Sequence, residues 1–88
     1  MIEIGNTIVY RNENGSLNFY WLCTSRPEGY VFFPWLGDIR RATISDYWVM
    51  TKEWFESKVK DGTIEVYESL PVEEYGDVIE AMAAEKNR

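Results

Sequence analysis

Carboxylates are the most numerous chemistry-bearing side chains in this sequence, and Glu65, Glu68, Glu73, Glu74, Asp77 and Glu80 crowd into one short span. Paired carboxylates divide acid and base work only when they face one another across a reacting atom. Glu73 and Glu74 are adjacent, and neighbours on a helix do not face each other. Histidine is absent, and Cys23 is the single cysteine. Triads, histidine acid–base chemistry and most zinc and transition-metal sites are therefore out of reach. No glycine-rich phosphate loop, Walker motif or GxSxG turn occurs. The expectation is a protein that is not an enzyme and needs no cofactor or metal. The acidic series then has two readings. One is a solvated helix face and loop. The other is a surface that imitates nucleic-acid phosphates and occupies a basic groove on a partner.

A second constellation is aromatic. The stretch FYWLCTSRPEGYVFFPWLG, residues 19–37, holds Phe19, Tyr20, Trp21, Tyr30, Phe32, Phe33 and Trp35. Arg40-Arg41 follows and is the one adjacent basic pair in residues 1–60. Arginine beside aromatic rings suits nucleic-acid backbones with base stacking, although a solvated, salt-bridged pair is the plainer account. Trp21, Trp35, Arg40, Arg41, Tyr47 and Trp48 are the candidate partner-binding residues. Charge narrows the kind of partner. Residues 1–60 carry seven basic and seven acidic groups, while residues 61–88 carry two basic and eight acidic ones, so the tail holds the whole net charge of −6. Tight DNA binding usually comes with a basic surplus. A protein partner is expected, with a nucleic-acid-processing enzyme among the candidates, and direct nucleic-acid binding weak or absent.

These side chains need elements to hold them. The 88 residues fit one domain, 45% hydrophobic and 16% aromatic. A chain of this size buries about 60–65% of its unfolded surface, so a rich core matters. No apolar run approaches the roughly 20 residues of a membrane helix, and the N-terminus lacks a basic region. The expectation is no membrane span, no leader and a cytoplasmic location, with Cys23 acting as a small core hydrophobe.

Thr7–Tyr10 reads as a strand, and Asn14-Gly15 as a type I′ hairpin turn. A second strand is expected over Leu17–Thr24, a turn at Arg26-Pro27-Glu28-Gly29, and a third strand over Tyr30–Leu36. Pro34 places that third strand at an edge or a bulge. Arg40–Ile44 suggests a fourth strand, which Asp46–Met50 extends or breaks. Thr51 is an N-cap candidate for a short helix ended by Gly62, and Thr63–Tyr67 alternates as the last strand. Val72, Tyr75, Ile79 and Met82 mark a helical stripe, with Asp77-x-x-Glu80 and Gly76 favouring a start near Val78. The fold class is mainly β with α: a small SH3-like antiparallel barrel or curved sheet over residues 1–68, with a short helix before its last strand. Residues 69–88 form an acidic C-terminal helix or tail.

Both faces of the two aromatic strands are apolar. Phe19, Trp21 and Cys23 share one face of their strand, as do Val31, Phe33 and Trp35 on the next. A barrel has one interior, so something must cover the other face. The chain's own helices are the simpler cover; another chain or a ligand is the alternative.

The order IGNTIVY, a hairpin, a two-strand apolar unit and TKEWFESKVKDGTIEVYE resembles the small N-terminal β-barrel module of TnsB/TniA-type DDE transposase subunits, over roughly residues 2–68. The resemblance implies a non-catalytic accessory module that helps assemble a nucleoprotein complex. The family's catalytic carboxylates lie in a separate, larger domain and match no residue here. Two functional expectations follow: a binding module working through its aromatic and arginine surface, and a stand-alone phage-type anti-defence inhibitor. The inhibitor would block a nucleic-acid-handling enzyme through the acidic segment and the aromatic face.

Overall fold

The computed structural model describes residues 2–35 and 47–86. Five antiparallel strands form one sheet in the order β4-β3-β2-β1-β5, with two helices. The elements are β1 (Thr7–Arg11), β2 (Leu17–Arg26), β3 (Gly29–Pro34), β4 (Trp48–Met50), α1 (Lys52–Lys60), β5 (Ile64–Tyr67) and α2 (Val72–Lys86). The sheet is curved and open, not a closed barrel. Among the described residues β4 and β5 form no ladder with each other, and α1 carries the chain from one edge to the other. The expected fourth strand at Arg40–Ile44 lies outside the described residues; the described β4, Trp48–Met50, falls within the Asp46–Met50 segment expected to extend or break it.

The local chemistry explains most boundaries. The first hairpin turns at Asn12–Gly15, where Gly15 N–H donates to the Asn12 carbonyl at 2.9 Å. Gly15 has φ 87°, and among the described residues no non-glycine has positive φ. Asn14 therefore does not adopt the type I′ conformation the sequence suggested. A type I turn with one left-handed glycine takes its place. Asn14 serves through its side chain, accepting from the Ser16 N–H at 3.0 Å.

The second hairpin closes at Pro27-Glu28 with Arg26 opposite Gly29. Gly29 lies against the next strand: a Cβ there would overlap the Met50 carbonyl oxygen and stand 2.9 Å from its carbon. Pro34 suggested an edge strand or a bulge; the third strand is interior, between β2 and β4, and its register shift with β2 lies at Leu22/Thr24, away from Pro34. Trp35 N–H donates to Phe19 at 3.0 Å. By alternation Pro34 then turns its nitrogen away from β2, past the last pair of the β4 ladder, Phe32 with Trp48. No ladder bond among the described residues is lost there.

Helix α1 starts and stops as its sequence suggests. The Thr51 hydroxyl accepts from Trp54 N–H at 3.2 Å, and Gly62 at φ 87° follows the last turn. The second helix begins earlier than Asp77 suggested, at Val72, but it is broken at Tyr75 (φ −130°, ψ 25°). Gly76 follows that break.

One face of the sheet holds Ile8, Leu22, Phe32, Met50 and Ile64, roofed by Phe55 of α1. The other holds Val9 and Phe19, covered by Ile79, Tyr75 and Met82 of α2. The chain's own helices thus cover part of both faces. The register of β2 against β3 shifts between Leu22 and Thr24, so Cys23 is the extra residue of a bulge. It is half-buried at the sheet, not a core residue. Burial raises its thiol pKa, which disfavours the reactive thiolate.

Candidate functional site

The pleat sorts the candidate aromatics onto opposite faces. Thr7, Trp21 and Phe33 stand opposite one another across β1, β2 and β3. Trp35 continues that face from β3, and Val31 is paired with Val49 of β4. Ring contacts tie the group together. Trp21 lies 5.9 Å from Phe33 and 6.3 Å from Trp35 between centroids, and Tyr47 meets Phe33 edge-on at 5.1 Å. Phe33 is buried, whereas Trp35 is 36%, Tyr47 39% and Val49 54% exposed. Trp35 is also anchored: its Nε1–H donates to Oγ1 of the fully buried Thr7 at 2.7 Å. Of the six residues singled out, Trp21, Trp35 and Tyr47 come together. Arg40 and Arg41 lie outside the described residues.

Trp48 is elsewhere. It sits on the inner face in a cluster with Tyr10 and Tyr20, each at 5.1 Å, and Trp54 at 5.6 Å. Lys58 stands over the Trp54 ring at 5.5 Å. All four aromatics are half-buried. Burial, and then neighbouring Tyr10, raise the Tyr20 pKa. The spacing of Tyr10, Tyr20 and Trp54 gave no hint of this cluster, because the three belong to different elements. Pleat alternation puts Tyr20 on the face of Leu22, and that face is the inner one.

The acidic series also divides. Glu65, on β5, accepts from the Tyr67 hydroxyl at 3.2 Å and from the Tyr75 hydroxyl, which ties α2 to the sheet. Burial is the largest cause pushing the Tyr67 pKa up to about 12, followed by the Glu65 carboxylate. The hydrogen bond to Glu65 raises Tyr75. Glu68, Glu73, Glu74, Asp77 and Glu80 are exposed. Glu68, Glu73 and Glu74 line one depression of about 350 Å³ after β5. Among the described residues no group of three or more acidic or cysteine side chains could hold a metal ion. No described helix is long and apolar enough to cross a membrane.

A further groove, of about 400 Å³, opens between β5 and α1 and is lined by Ile2, Tyr30, Phe55, Glu56, Val59, Lys60 and Val66. None of these was a candidate from sequence, since residues so far apart in the chain converge only when α1 crosses the sheet.

No family model, curated protein or solved structure matches this chain.

Proposed function

We propose that the chain is a non-catalytic binding module that engages a protein or nucleoprotein partner through the outer aromatic patch. One observation carries the reading: Trp35, Tyr47 and Val49 are each more than a third exposed on a face that already carries Trp21 and the buried Phe33. Exposed tryptophan and tyrosine beside a packed aromatic base form the residue pattern of interface hot spots. A role in assembling a nucleic-acid-processing complex accords with the sequence resemblance to the transposase module. Arg40 and Arg41 would add phosphate contacts if the partner carries nucleic acid.

The test uses Tyr47→Ala and Val49→Ser, which alter exposed side chains; Tyr47→Ala also removes an edge-on contact with Phe33, so the melting temperature is read beside binding. Loss of a specific partner captured from the native host, with the melting temperature kept, supports the patch. Retention of that partner by both variants rejects it. Binding to DNA or RNA that falls steeply with salt and is lost in Arg40→Ala and Arg41→Ala would make nucleic acid the direct partner.

The inhibitor reading, with its anti-defence role, is favoured by a separate observation, the exposure of Glu68, Glu73, Glu74, Asp77 and Glu80. Reversing Glu73, Glu74 and Asp77 to lysine should then abolish blockade of the target enzyme while the fold persists. Undiminished blockade rejects that reading.

A further inference from the structure

Among the described residues β5 is an edge strand, hydrogen-bonded to β1 on one side. Arg11 N–H donates to the Thr63 carbonyl at 3.0 Å, and the register of β1 with β5 continues unbroken to Thr7 opposite Tyr67. Antiparallel ladders alternate, so residues 63, 65 and 67 turn their backbone groups toward β1. The other side of β1 agrees, since Leu22 N–H donates to Asn6, one residue out of phase with Thr7. Ile64 and Val66 therefore point their N–H and C=O groups away from β1. Among the described residues no strand lies along that outward side of β5. Val66 is 39% exposed.

Beside this edge runs the 400 Å³ groove, with Val66 on one bank and Phe55, Val59, Glu56 and Lys60 of α1 on the other. A strand laid on β5 would drop alternate side chains into it, against Val59, Ile2 and Val66. Past the end of β5 lies the depression lined by Glu68, Glu73 and Glu74. The groove prefers apolar side chains, and the depression prefers cations. A second copy of this chain fits poorly, because its β5 would bring Glu65 and Glu68 against the same carboxylates.

We propose that an extended segment of a partner protein, alternating apolar and basic residues, adds as a sixth strand on the outer edge of β5. The proposal rests on the binding-module reading but uses a surface separate from the aromatic patch.

Two acetylated hexapeptides test it, one alternating lysine with valine and one alternating glutamate with valine. Each is titrated into the whole chain while the Ile64 and Val66 amides are followed by NMR. The lysine peptide should bind at least tenfold more tightly and protect those amides from exchange. Val66→Pro removes an outward donor and no bond to β1, so it should weaken binding at least tenfold. If that variant does not fold, a lysine peptide with its central valines N-methylated should fail on the native protein. Reversing Glu68, Glu73 and Glu74 to lysine should invert the peptide preference. Equal affinity for both peptides, shifts confined to other residues, or no inversion overturns the proposal. So does concentration-dependent dimerisation through Val66 without peptide, since a second copy would then hold the edge. Tyr47→Ala should leave peptide binding unchanged, so failure of the aromatic patch and failure of this edge are separate results.

Discussion

Inner and outer faces of the sheet are each met by one helix, and the two helices hold on by different physical means. Helix α1 drives Phe55 into the inner core, stacked 5.8 Å from Phe32 and edge-on to Tyr30 at 5.2 Å. It is short, capped by Thr51 and ended by Gly62. Helix α2 meets the outer face through Ile79 and Tyr75, and Tyr75 is also where the helix breaks. Part of its hold is polar, through the Tyr75 hydroxyl on Glu65. The inner cover is packing among rings. The outer cover mixes packing with a carboxylate anchor and lies over Val9 and Phe19, while Trp35, Tyr47 and Val49 remain exposed farther along. The face with the looser cover is the one that carries the candidate interface.

The largest effect should come from the inner core. Phe32→Ala removes a fully buried ring and should cost about 3–5 kcal/mol, read from urea unfolding. Ile79→Ala, on the outer side, should fall near the low end of the roughly 2–5 kcal/mol span for aliphatic truncations, because Ile79 borders solvent. Equal costs would end the distinction between the two covers. Gly29→Ala comes next. Its Cβ would overlap the Met50 carbonyl, a backbone group that cannot swing aside. Overpacking of this kind costs about 1–3 kcal/mol. Loss of hydrogen-exchange protection should begin at β4 and reach both faces.

Much of this contrast was legible in the sequence where the signal was local. Thr51 and Gly62 marked α1 because caps act within one turn. The alternation of Val31, Phe33 and Trp35 against Tyr30 and Phe32 was readable because the pleat has a period of two. What failed was non-local or depended on one φ angle. Asn14 accepts a hydrogen bond with its side chain and leaves positive φ to Gly15, a choice that Asn-Gly alone does not reveal. Pro34 indicated an edge or a bulge, yet it sits in an interior strand, past the last described pair of the β4 ladder. The bulge at Cys23 shifted the face of every later β2 residue. Trp48 looked like a partner of Tyr47 by adjacency, and adjacency in a strand puts the two on opposite faces. The groove at Val66 depends on where α1 crosses, which no window of sequence contains.

The polar anchor predicts a smaller and pH-sensitive effect. Tyr75→Phe deletes one hydroxyl and should cost about 1.5 kcal/mol, near the low end for a hydrogen bond to a charged group, because the site is half-open. Exchange should quicken in α2 and not at Phe32 on the inner face. Tyrosine in the unfolded chain ionises near 10, whereas folded Tyr67 holds its proton to about 12 and Tyr75 is also raised. The folded state therefore binds more protons across that window. This contribution to stability is full below pH 10 and is lost as pH rises toward 12. Denaturation midpoints taken at pH 9, 10 and 11 should fall, and Tyr67→Phe should flatten the slope. A stability that rises over that range would contradict the anchor.

Thr51→Ala is the smallest change and the most pointed comparison with Tyr75→Phe. It removes the acceptor of the Trp54 N–H and should cost about 1 kcal/mol. The two losses are alike in size but should differ in reach. Thr51 directly follows Met50 of β4, and α1 carries Phe55 into the inner cluster. Loosening the cap should therefore raise exchange at Phe32 and Ile64 as well as within α1. Loosening Tyr75 should reach α2, β5 and Phe19 of β2, whose ring Tyr75 meets edge-on at 5.9 Å, and should spare Phe32. If the two variants gave the same exchange map, the faces would unfold as one unit. The outer face could then not yield to a partner while the inner core stayed closed.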